Sequence, residues 1–147
     1  MAAGMPKRIG LVGCGNISDI YLQNAPRFRD IVFTTCADLN TDAAKRQAGR
    51  YTIDARSVAD VLNSDDVDIV LNLTIPEAHA EISLQAIEAG KHVYSEKPLA
   101  TTVPDGVAIV AAAQAKGIRV GAAPDTVLGA CVREARALID AGRLACP

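Results

Sequence analysis

Short apolar stretches alternate along this sequence with stretches of helical spacing, and this alternation constrains the fold more than any other feature. The strand-like stretches are rich in Val, Ile and Leu, and one of them holds the run Ile-Val-Leu that is typical of a strand buried on both faces. Predicted strands cover 8–12, 31–37, 53–55, 68–73, 92–94 and 118–122. Predicted helices begin near 17 and cover 41–50, 57–62, 77–89, 104–116 and 128–141, the last ending at Gly142.

Strands that alternate with helices pair in parallel, because each return to the same edge of a sheet needs a crossover. Six strands in this sequence order predict an α/β fold with a doubly wound parallel sheet of order 3-2-1-4-5-6. The 147 residues suit one domain, with a core over about 7–144.

Composition narrows the classes of protein. Half of the residues are hydrophobic but only 3% are aromatic, so Ala, Val, Ile and Leu carry the core, as helix-on-sheet packing requires. The net charge of −2 argues against a nucleic-acid partner. Neither a signal peptide nor a membrane-spanning run is found, so we expect a soluble cytoplasmic protein with no membrane partner.

The four cysteines are scattered, with no C-x-x-C pair and no accompanying histidine cluster. They are Cys14, Cys36, Cys131 and Cys146. This spacing predicts neither a metal site nor a disulfide framework, and it fits a reducing compartment. We expect these cysteines to behave as small hydrophobic residues in or near the core.

The turn after the first predicted strand, residues 13–18, reads G-C-G-N-I-S. It differs by one residue from the G-x-G-x-x-G/A fingerprint of dinucleotide-binding folds. Gly13 would allow the tight turn, and Gly15 would let a pyrophosphate approach the backbone near Asn16 and Ile17. Ser18 is small enough for close helix–strand packing. Glycine-rich turns also occur without any nucleotide, so the motif alone does not decide.

Asp38 follows the second predicted strand, twenty residues after Ser18. An acidic residue at this place bonds the hydroxyls of the adenosine ribose and repels a 2′-phosphate. Residues 39–41 supply no cation for such a phosphate, so we expect NAD rather than NADP. The alternative is that Asp38 is an ordinary turn residue before a helix.

Three further segments carry a family resemblance. Residues 90–100, GKHVYSEKPLA, resemble the GKHV-x-x-EKPLA segment of the Gfo/Idh/MocA oxidoreductases. Residues 74–79, TIPEAH, resemble the T-x-P-x-x-H turn of that family, and residues 123–129, APDTVLG, resemble the A-P-D-T-F-L-G run of a sugar-dehydrogenase-like branch. The resemblance covers the chain from 8 to 144 and implies a Rossmann fold.

In the family, the Glu-Lys-Pro segment lies beside the nicotinamide, and its lysine binds substrate and assists proton transfer. The resemblance therefore assigns Lys97 as the catalytic residue and Glu96, Lys97 and Pro98 to the cofactor site, with a Lys97–Pro98 bond that is often cis in the family. A partly desolvated lysine beside a cationic ring suits acid–base work. Without the resemblance, Lys97 would be taken for a solvated loop lysine.

The segment after the fourth predicted strand is expected to line the cofactor cleft, since ligands bind where the strand order reverses. Its residues are Thr74, Ile75 and Pro76. His79 either reaches the cofactor or lies on the surface in the first helical turn. Asp125 and Thr126 precede the last helix, and N-capping explains at least one of them.

The family has a C-terminal α+β substrate domain after this helix, and the sequence contains nothing that corresponds to it. The resemblance therefore implies the cofactor domain of an oxidoreductase that transfers hydride to or from a sugar, polyol or related hydroxyl compound, and that is incomplete as a catalyst without a homo-oligomer or a complementing chain. Two alternatives stay open: a non-catalytic NAD(H)-binding module or partner subunit, and another nucleotide-fold enzyme such as a methyltransferase.

Overall fold

The computed structural model describes residues 5–123, 127 and 129–143. The strands are β1 Lys7–Val12, β2 Ile31–Ala37, β3 Asp54–Ala55, β4 Ile69–Asn72, β5 His92–Ser95 and β6 Val120–Ala122. The helices are α1 Ser18–Asn24, α2 Thr41–Tyr51, α3 Val58–Asn63, α4 His79–Glu88, α5 Val103–Lys116 and α6 Ala130–Asp140. Short 3-10 turns occupy Ala25–Arg27 and Pro76–Ala78.

The six strands form one parallel sheet of order β3-β2-β1-β4-β5-β6, which confirms the predicted topology. The carboxyl ends of the central strands are level, because Val12 lies opposite both Ala37 and Asn72. Asn72 lies opposite Ser95, and Ser95 lies opposite Ala122. The loops that follow these strands therefore emerge along one edge, where ligands bind in doubly wound sheets.

Apolar side chains form one cluster on each face of the sheet, as right-handed crossovers require when the strand order reverses at β1. The first cluster packs α1 and α2 on one face and includes Leu11, Leu22, Cys36, Ala44 and Leu71. The second cluster packs α3, α4 and α5 on the opposite face and includes Val61, Val70, Ile87, Val93 and Ile109. The two clusters hold the sheet rigid beneath its carboxyl edge.

Side-chain caps and a left-handed glycine fix where the helices begin and end. Ser57 Oγ accepts the Asp60 N–H at the start of α3, where the sequence predicts a capping box. Asn40 caps α2 and Thr102 caps α5 in the same way. Gly117, with φ 67°, ends α5 at the predicted place.

Two predicted bounds are wrong. The helix expected over 77–89 opens with the 3-10 turn Pro76–Ala78, and its α-helical part begins only at His79. The strand expected over 118–122 pairs only from Val120, because the Ile118 N–H donates to Ala113 O and closes the preceding helix. The proposed capping residues Asp125 and Thr126, and the predicted helix start at 128, lie outside the described residues.

The apolar face predicted for the last helix is present, but no residue of α6 is buried. Val132 and Ile139 each keep about half of their surface exposed. Cys131 is exposed too, which corrects the expectation that it lies near the core, whereas Cys14 and Cys36 are buried as expected. Cys146 falls outside the described residues. No helix within the described ranges is long and apolar enough to span a membrane.

The packing on the α5 side predicts unequal effects of truncating two neighbouring residues. Ile109 is fully buried and Val110 is 45% exposed. We expect Ile109→Ala to lower the free energy of unfolding by about 2–5 kcal/mol, because it leaves a cavity under the helix. Val110→Ala should change it by less than about 0.5 kcal/mol. Urea denaturation monitored by circular dichroism measures both values, and equal losses would contradict the burial of this face.

Candidate functional site

The carboxyl edge of the sheet brings together the loops that follow β1, β2, β4 and β5. These loops carry every predicted cofactor residue except His79, which begins α4 behind them. The predicted residues on the loops are Gly13, Gly15, Asn16, Ile17, Asp38, Thr74, Ile75, Pro76, Glu96, Lys97 and Pro98. The site is therefore assembled from four segments that are distant in sequence.

Gly13 is required by the fold itself. Its φ is 104°, and a Cβ placed there would meet Leu73 O, lie 2.5 Å from Leu73 C and lie 2.7 Å from Thr74 N. Its N–H donates to Ala37 O at 2.8 Å. Gly13 thus lets the turn after β1 lie directly against the turn after β4, at the point where the strand order reverses.

Gly15 is not required by the fold. It lacks a positive φ, and a Cβ added there would meet nothing within 4 Å. Ser18, three residues later, is fully buried, and its hydroxyl donates to Gly15 O at 2.6 Å. Gln47 Nε2 donates to the same hydroxyl at 2.6 Å and anchors it to α2. The glycine-rich turn is therefore held from below and open above.

Asp38 lies at the end of β2 and braces the same turn. One carboxylate oxygen accepts the Cys14 N–H at 2.7 Å, and the other accepts the Asn40 N–H at 2.7 Å. These bonds fix the carboxylate beside Gly13 while each oxygen keeps a further lone pair. The side chain is half-buried, so its outer side stays within reach of a ligand.

The turn after β4 is positioned by Asn72, a fully buried residue that sequence reasoning missed. Its amide oxygen accepts the hydroxyl of Thr74 at 2.7 Å. Its amide nitrogen donates to His79 O at 3.0 Å and to Ser83 Oγ at 3.2 Å. With both ends of the amide used, Thr74 is held in place while Ile75 stays exposed at the edge.

His79 is 1% exposed, so the expectation of a surface histidine is wrong. Its Nδ1 lies 2.6 Å from Pro98 O, and its Nε2 lies 3.0 Å from Thr74 O. Both ring nitrogens therefore face backbone carbonyls of two different loops, and neither is turned toward the open edge. His79 joins the turn after β4 to the loop after β5.

The loop after β5 presents Glu96, Lys97 and Pro98, with a cis Lys97–Pro98 bond. The Glu96 N–H donates to Asn72 O at 2.9 Å, and the Glu96 carboxylate accepts the Lys97 N–H at 3.0 Å and the Tyr21 hydroxyl at 2.8 Å. Lys97 is exposed, and within the described ranges its Nζ has no hydrogen-bond or ion-pair partner. The expected desolvation of Lys97 is not provided by this domain, since none of its described side chains covers it.

Two depressions flank the glycine-rich turn. A polar pocket of about 300 Å³ lies between this turn and α2, and it is lined by Gly15, Asn16, Asp19, Arg46 and Arg50, among others. Hydrogen bonds from Gln47 and Tyr51, together with Arg50, hold the pKa of Asp19 below its ordinary value. Arg50 is thereby paired, whereas Arg46 has no partner within the described chain.

An apolar groove of about 770 Å³ runs along the face of the sheet on the other side of α1. Its floor is formed by side chains of β1, β2, β4 and β5, and its upper end reaches Glu96, Lys97 and Ala123. Side chains that line it include Ile9, Phe33, Ile69, Leu71 and Tyr94. The groove occupies the part of the sheet face that α1 and α2 leave uncovered.

Cys14 and Cys36 lie together beneath the glycine-rich turn. Their mutual hydrogen bond and their burial raise the pKa of the Cys14 thiol well above its ordinary value. A buried thiol of this kind stays protonated and inert. The side chains of Cys14 and Cys36 are both buried, so both belong to the packing under the turn.

Three side chains of the site gave no signal in the sequence. Tyr21 and Arg46 lie within predicted helices and match no motif, and Asn72 lies within an apolar run. Only the fold brings Tyr21 to Glu96, Asn72 to Thr74 and Arg46 to the glycine-rich turn. A search for polar residues one position before a strand end would have found Asn72.

A family model described as an oxidoreductase family with an NAD-binding Rossmann fold, GFO_IDH_MocA, matches residues 7–123. The chain belongs to the Gfo/Idh/MocA oxidoreductase family. The matched segment contains the glycine-rich turn, the turn after β4 and the Glu-Lys-Pro loop. The family resemblance inferred from these motifs is thereby confirmed.

Named relatives and solved structures agree with this family assignment. Inositol 2-dehydrogenase 3 of Saccharopolyspora erythraea is 40% identical over 97% of this chain and 43% of that protein. The WlbA dehydrogenase of Bordetella pertussis, solved with NADH and UDP-GlcNAcA, superposes with a TM-score of 0.90 at 26% identity, over 97% of this chain and 42% of that one. KijD10, a 3-ketoreductase of Actinomadura kijaniata solved with TDP-benzene and NADP, gives 0.85 at 29% identity, over 93% and 44%.

The chain thus spans less than half of the length of these relatives. It corresponds to their Rossmann part, which is the NAD(P)-binding domain of sugar- and polyol-type dehydrogenases in this family. One of the neighbouring structures contains NADH and the other contains NADP. Both therefore hold a nicotinamide cofactor, but only one of these cofactors carries a 2′-phosphate.

The two kinds of glycine in this chain predict opposite effects of adding a methyl group. Gly13→Ala should lower the free energy of unfolding by about 3 kcal/mol or more, because the Cβ meets the Leu73–Thr74 backbone at a positive φ. Gly49→Ala, in open space on α2, should raise it by about 0.5–1 kcal/mol. Thermal and urea unfolding of both variants measure these changes, and a harmless Gly13→Ala would show that the turns are not in contact.

Proposed function

We propose that this domain holds a nicotinamide dinucleotide across the carboxyl edge of its sheet, as the cofactor half of an enzyme that moves hydride to or from a hydroxyl-bearing carbon of a sugar, polyol or related compound. The observation that carries this proposal is the open space above Gly15. The fold gains nothing from glycine there, whereas a ligand lying on the turn would meet any Cβ.

The backbone around Gly15 supports an anionic ligand. Within the described residues, the N–H groups of Asn16 and Ile17 have no protein acceptor. Both residues are exposed, and Arg46 adds an unpaired positive charge beside them. Free N–H groups and a nearby cation are what a pyrophosphate needs for binding.

The nicotinamide end would then extend toward Thr74, Ile75 and the Glu-Lys-Pro loop. A nicotinamide bound there supplies the hydride acceptor or donor. Lys97 Nζ, which has no partner among the described residues, would bind the substrate oxygen and hold or release its proton while the hydride leaves or arrives at the adjoining carbon. Exposure of Lys97 in this domain means that another surface must exclude water from it.

Two uncovered apolar regions support the existence of that other surface. They are the groove beside Lys97 and the face of α6. The WlbA dehydrogenase, solved with UDP-GlcNAcA, and the 3-ketoreductase KijD10 are each more than twice as long as this chain. We infer that turnover requires a second wall that covers these regions, supplied by further sequence, by another copy or by a complementing chain. The non-catalytic NAD(H)-binding module stays as the second candidate, since the same turn would serve it.

A charged side chain at Gly15 tests the cofactor site. Gly15→Asp should abolish measurable NADH binding, because the carboxylate occupies the pyrophosphate position and repels it. Gly106→Asp, in open space on α5, is the matched control and should bind NADH as the wild type does. Isothermal titration calorimetry measures the affinities, and circular dichroism checks that both variants are folded. Equal NADH binding by wild type and Gly15→Asp would refute the proposed site.

We also propose that NAD is preferred over NADP. The fixed carboxylate of Asp38 supports this preference, because it accepts ribose hydroxyls and repels a 2′-phosphate. Arg46 lies in the neighbouring polar pocket and is the cation that a 2′-phosphate would have to reach.

Removing the charge of Asp38 should therefore reduce discrimination between the cofactors. Asp38→Asn keeps an oxygen for one of the two backbone N–H groups but loses the repulsion, so the ratio of NADPH to NADH affinity should rise by about tenfold. Arg46→Gln in the same background should reverse most of the gain. Competition titrations measure the ratios. Tighter NADPH than NADH binding by the wild type would overturn the preference and leave the dinucleotide site intact.

A further inference from the structure

Tyr21 joins the helix of the glycine-rich turn to the Glu-Lys-Pro loop. It lies on α1, one turn after Ser18, and its hydroxyl donates to Glu96 Oε1 at 2.8 Å across 75 positions of sequence. The ring is half-buried and lines the apolar groove beside Glu96 and Lys97. Helix α1 therefore follows the glycine-rich turn directly and contacts the loop that carries Lys97.

Glu96 passes this contact on to Lys97. Its Oε1 is taken by the Tyr21 hydroxyl, and its Oε2 accepts the Lys97 N–H at 3.0 Å. Its own N–H donates to Asn72 O at 2.9 Å. One carboxylate oxygen of Glu96 thus bonds to Tyr21 on α1, and the other bonds to the backbone of Lys97, the proposed catalytic residue.

Within the part of the chain that the structure describes, the Lys97 ammonium group has no partner, although a carboxylate precedes it by one residue. Charged neighbours of opposite sign pair readily unless another contact holds one of them. The contact that holds Glu96 is the Tyr21 hydroxyl, which turns Oε1 toward α1. A phenylalanine at 21 would fill the same space in the groove but would release that oxygen.

We propose that Tyr21 is a positioning residue for Lys97. Through Glu96 it fixes the backbone of Lys97 and keeps the carboxylate away from Nζ, which leaves Nζ free for the substrate oxygen or the nicotinamide end of the cofactor. This inference rests on the proposed function, in which Lys97 faces the nicotinamide. Tyr21 thereby links the position of the glycine-rich turn to the position of Lys97, beside which the nicotinamide would lie.

The first test needs no cofactor. Tyr21→Phe removes only the hydroxyl, and Tyr51→Phe is the matched control, since its hydroxyl donates to Asp19 Oδ1 at 2.9 Å on the opposite side of α1. In Tyr21→Phe the amide of Lys97 should exchange with solvent about fivefold faster, as expected for the loss of one hydrogen bond of ordinary strength. Tyr51→Phe should leave that rate unchanged. Amide exchange read by ¹H–¹⁵N spectra measures both, and an unchanged Lys97 amide in Tyr21→Phe overturns the inference.

The second test compares two ligands, NADH and ADP-ribose, which lacks the nicotinamide. Tyr21→Phe should weaken NADH at least threefold and leave ADP-ribose binding unchanged, because only the nicotinamide end reaches Lys97. Equal weakening of both ligands would show a general structural role and overturn the positioning role. If the wild type bound neither ligand, the proposed function would fail, and the exchange measurement would still decide whether Tyr21 holds Lys97 in place.

Discussion

The contact between Gly13 and the Leu73–Thr74 backbone determines where the site lies. Because no Cβ stands between them, the turns after β1 and β4 touch at the point where the strand order reverses. Asp38 then braces the first turn through the Cys14 N–H, and Asn72 holds the second through Thr74. Each of these bonds requires that the carboxyl ends of the strands lie level. None of them covers Gly15, so the surface above it stays open.

Behind this edge, the site is supported by buried polar side chains that bond to its loops. His79 lies between two backbone carbonyls, from the loop after β4 and the loop after β5, and Asn72 bonds to His79 O. Ser18 and Gln47 support the glycine-rich turn in the same manner. Within the described residues no buried polar side-chain atom is left without a hydrogen-bond partner.

Part of the apolar surface of this domain is exposed, whereas the buried polar side chains of the described residues have hydrogen-bond partners. The groove under Lys97 and the face of α6 are both exposed, in contrast to the closely packed α3–α4–α5 side of the sheet. Exposed apolar grooves and helix faces can serve as surfaces that contact another protein or domain. The chain covers less than half of its relatives, and the proposed chemistry at Lys97 likewise requires a surface that excludes water. A hydrogen-bonded carboxyl edge and exposed apolar surfaces therefore occur in the same structure.

The sequence by itself determined the element order, the parallel sheet of order 3-2-1-4-5-6 and the family, because hydrophobic periodicity and short motifs such as the glycine-rich turn are local signals. It also indicated which loops reach the carboxyl edge. The tertiary structure decided what each side chain does there: that Gly13 serves the fold whereas Gly15 leaves room for a ligand, that His79 is buried between two loops, and that Tyr21 reaches Glu96. These outcomes depend on contacts between separate loops and helices of the folded chain, which periodicity and spacing do not encode.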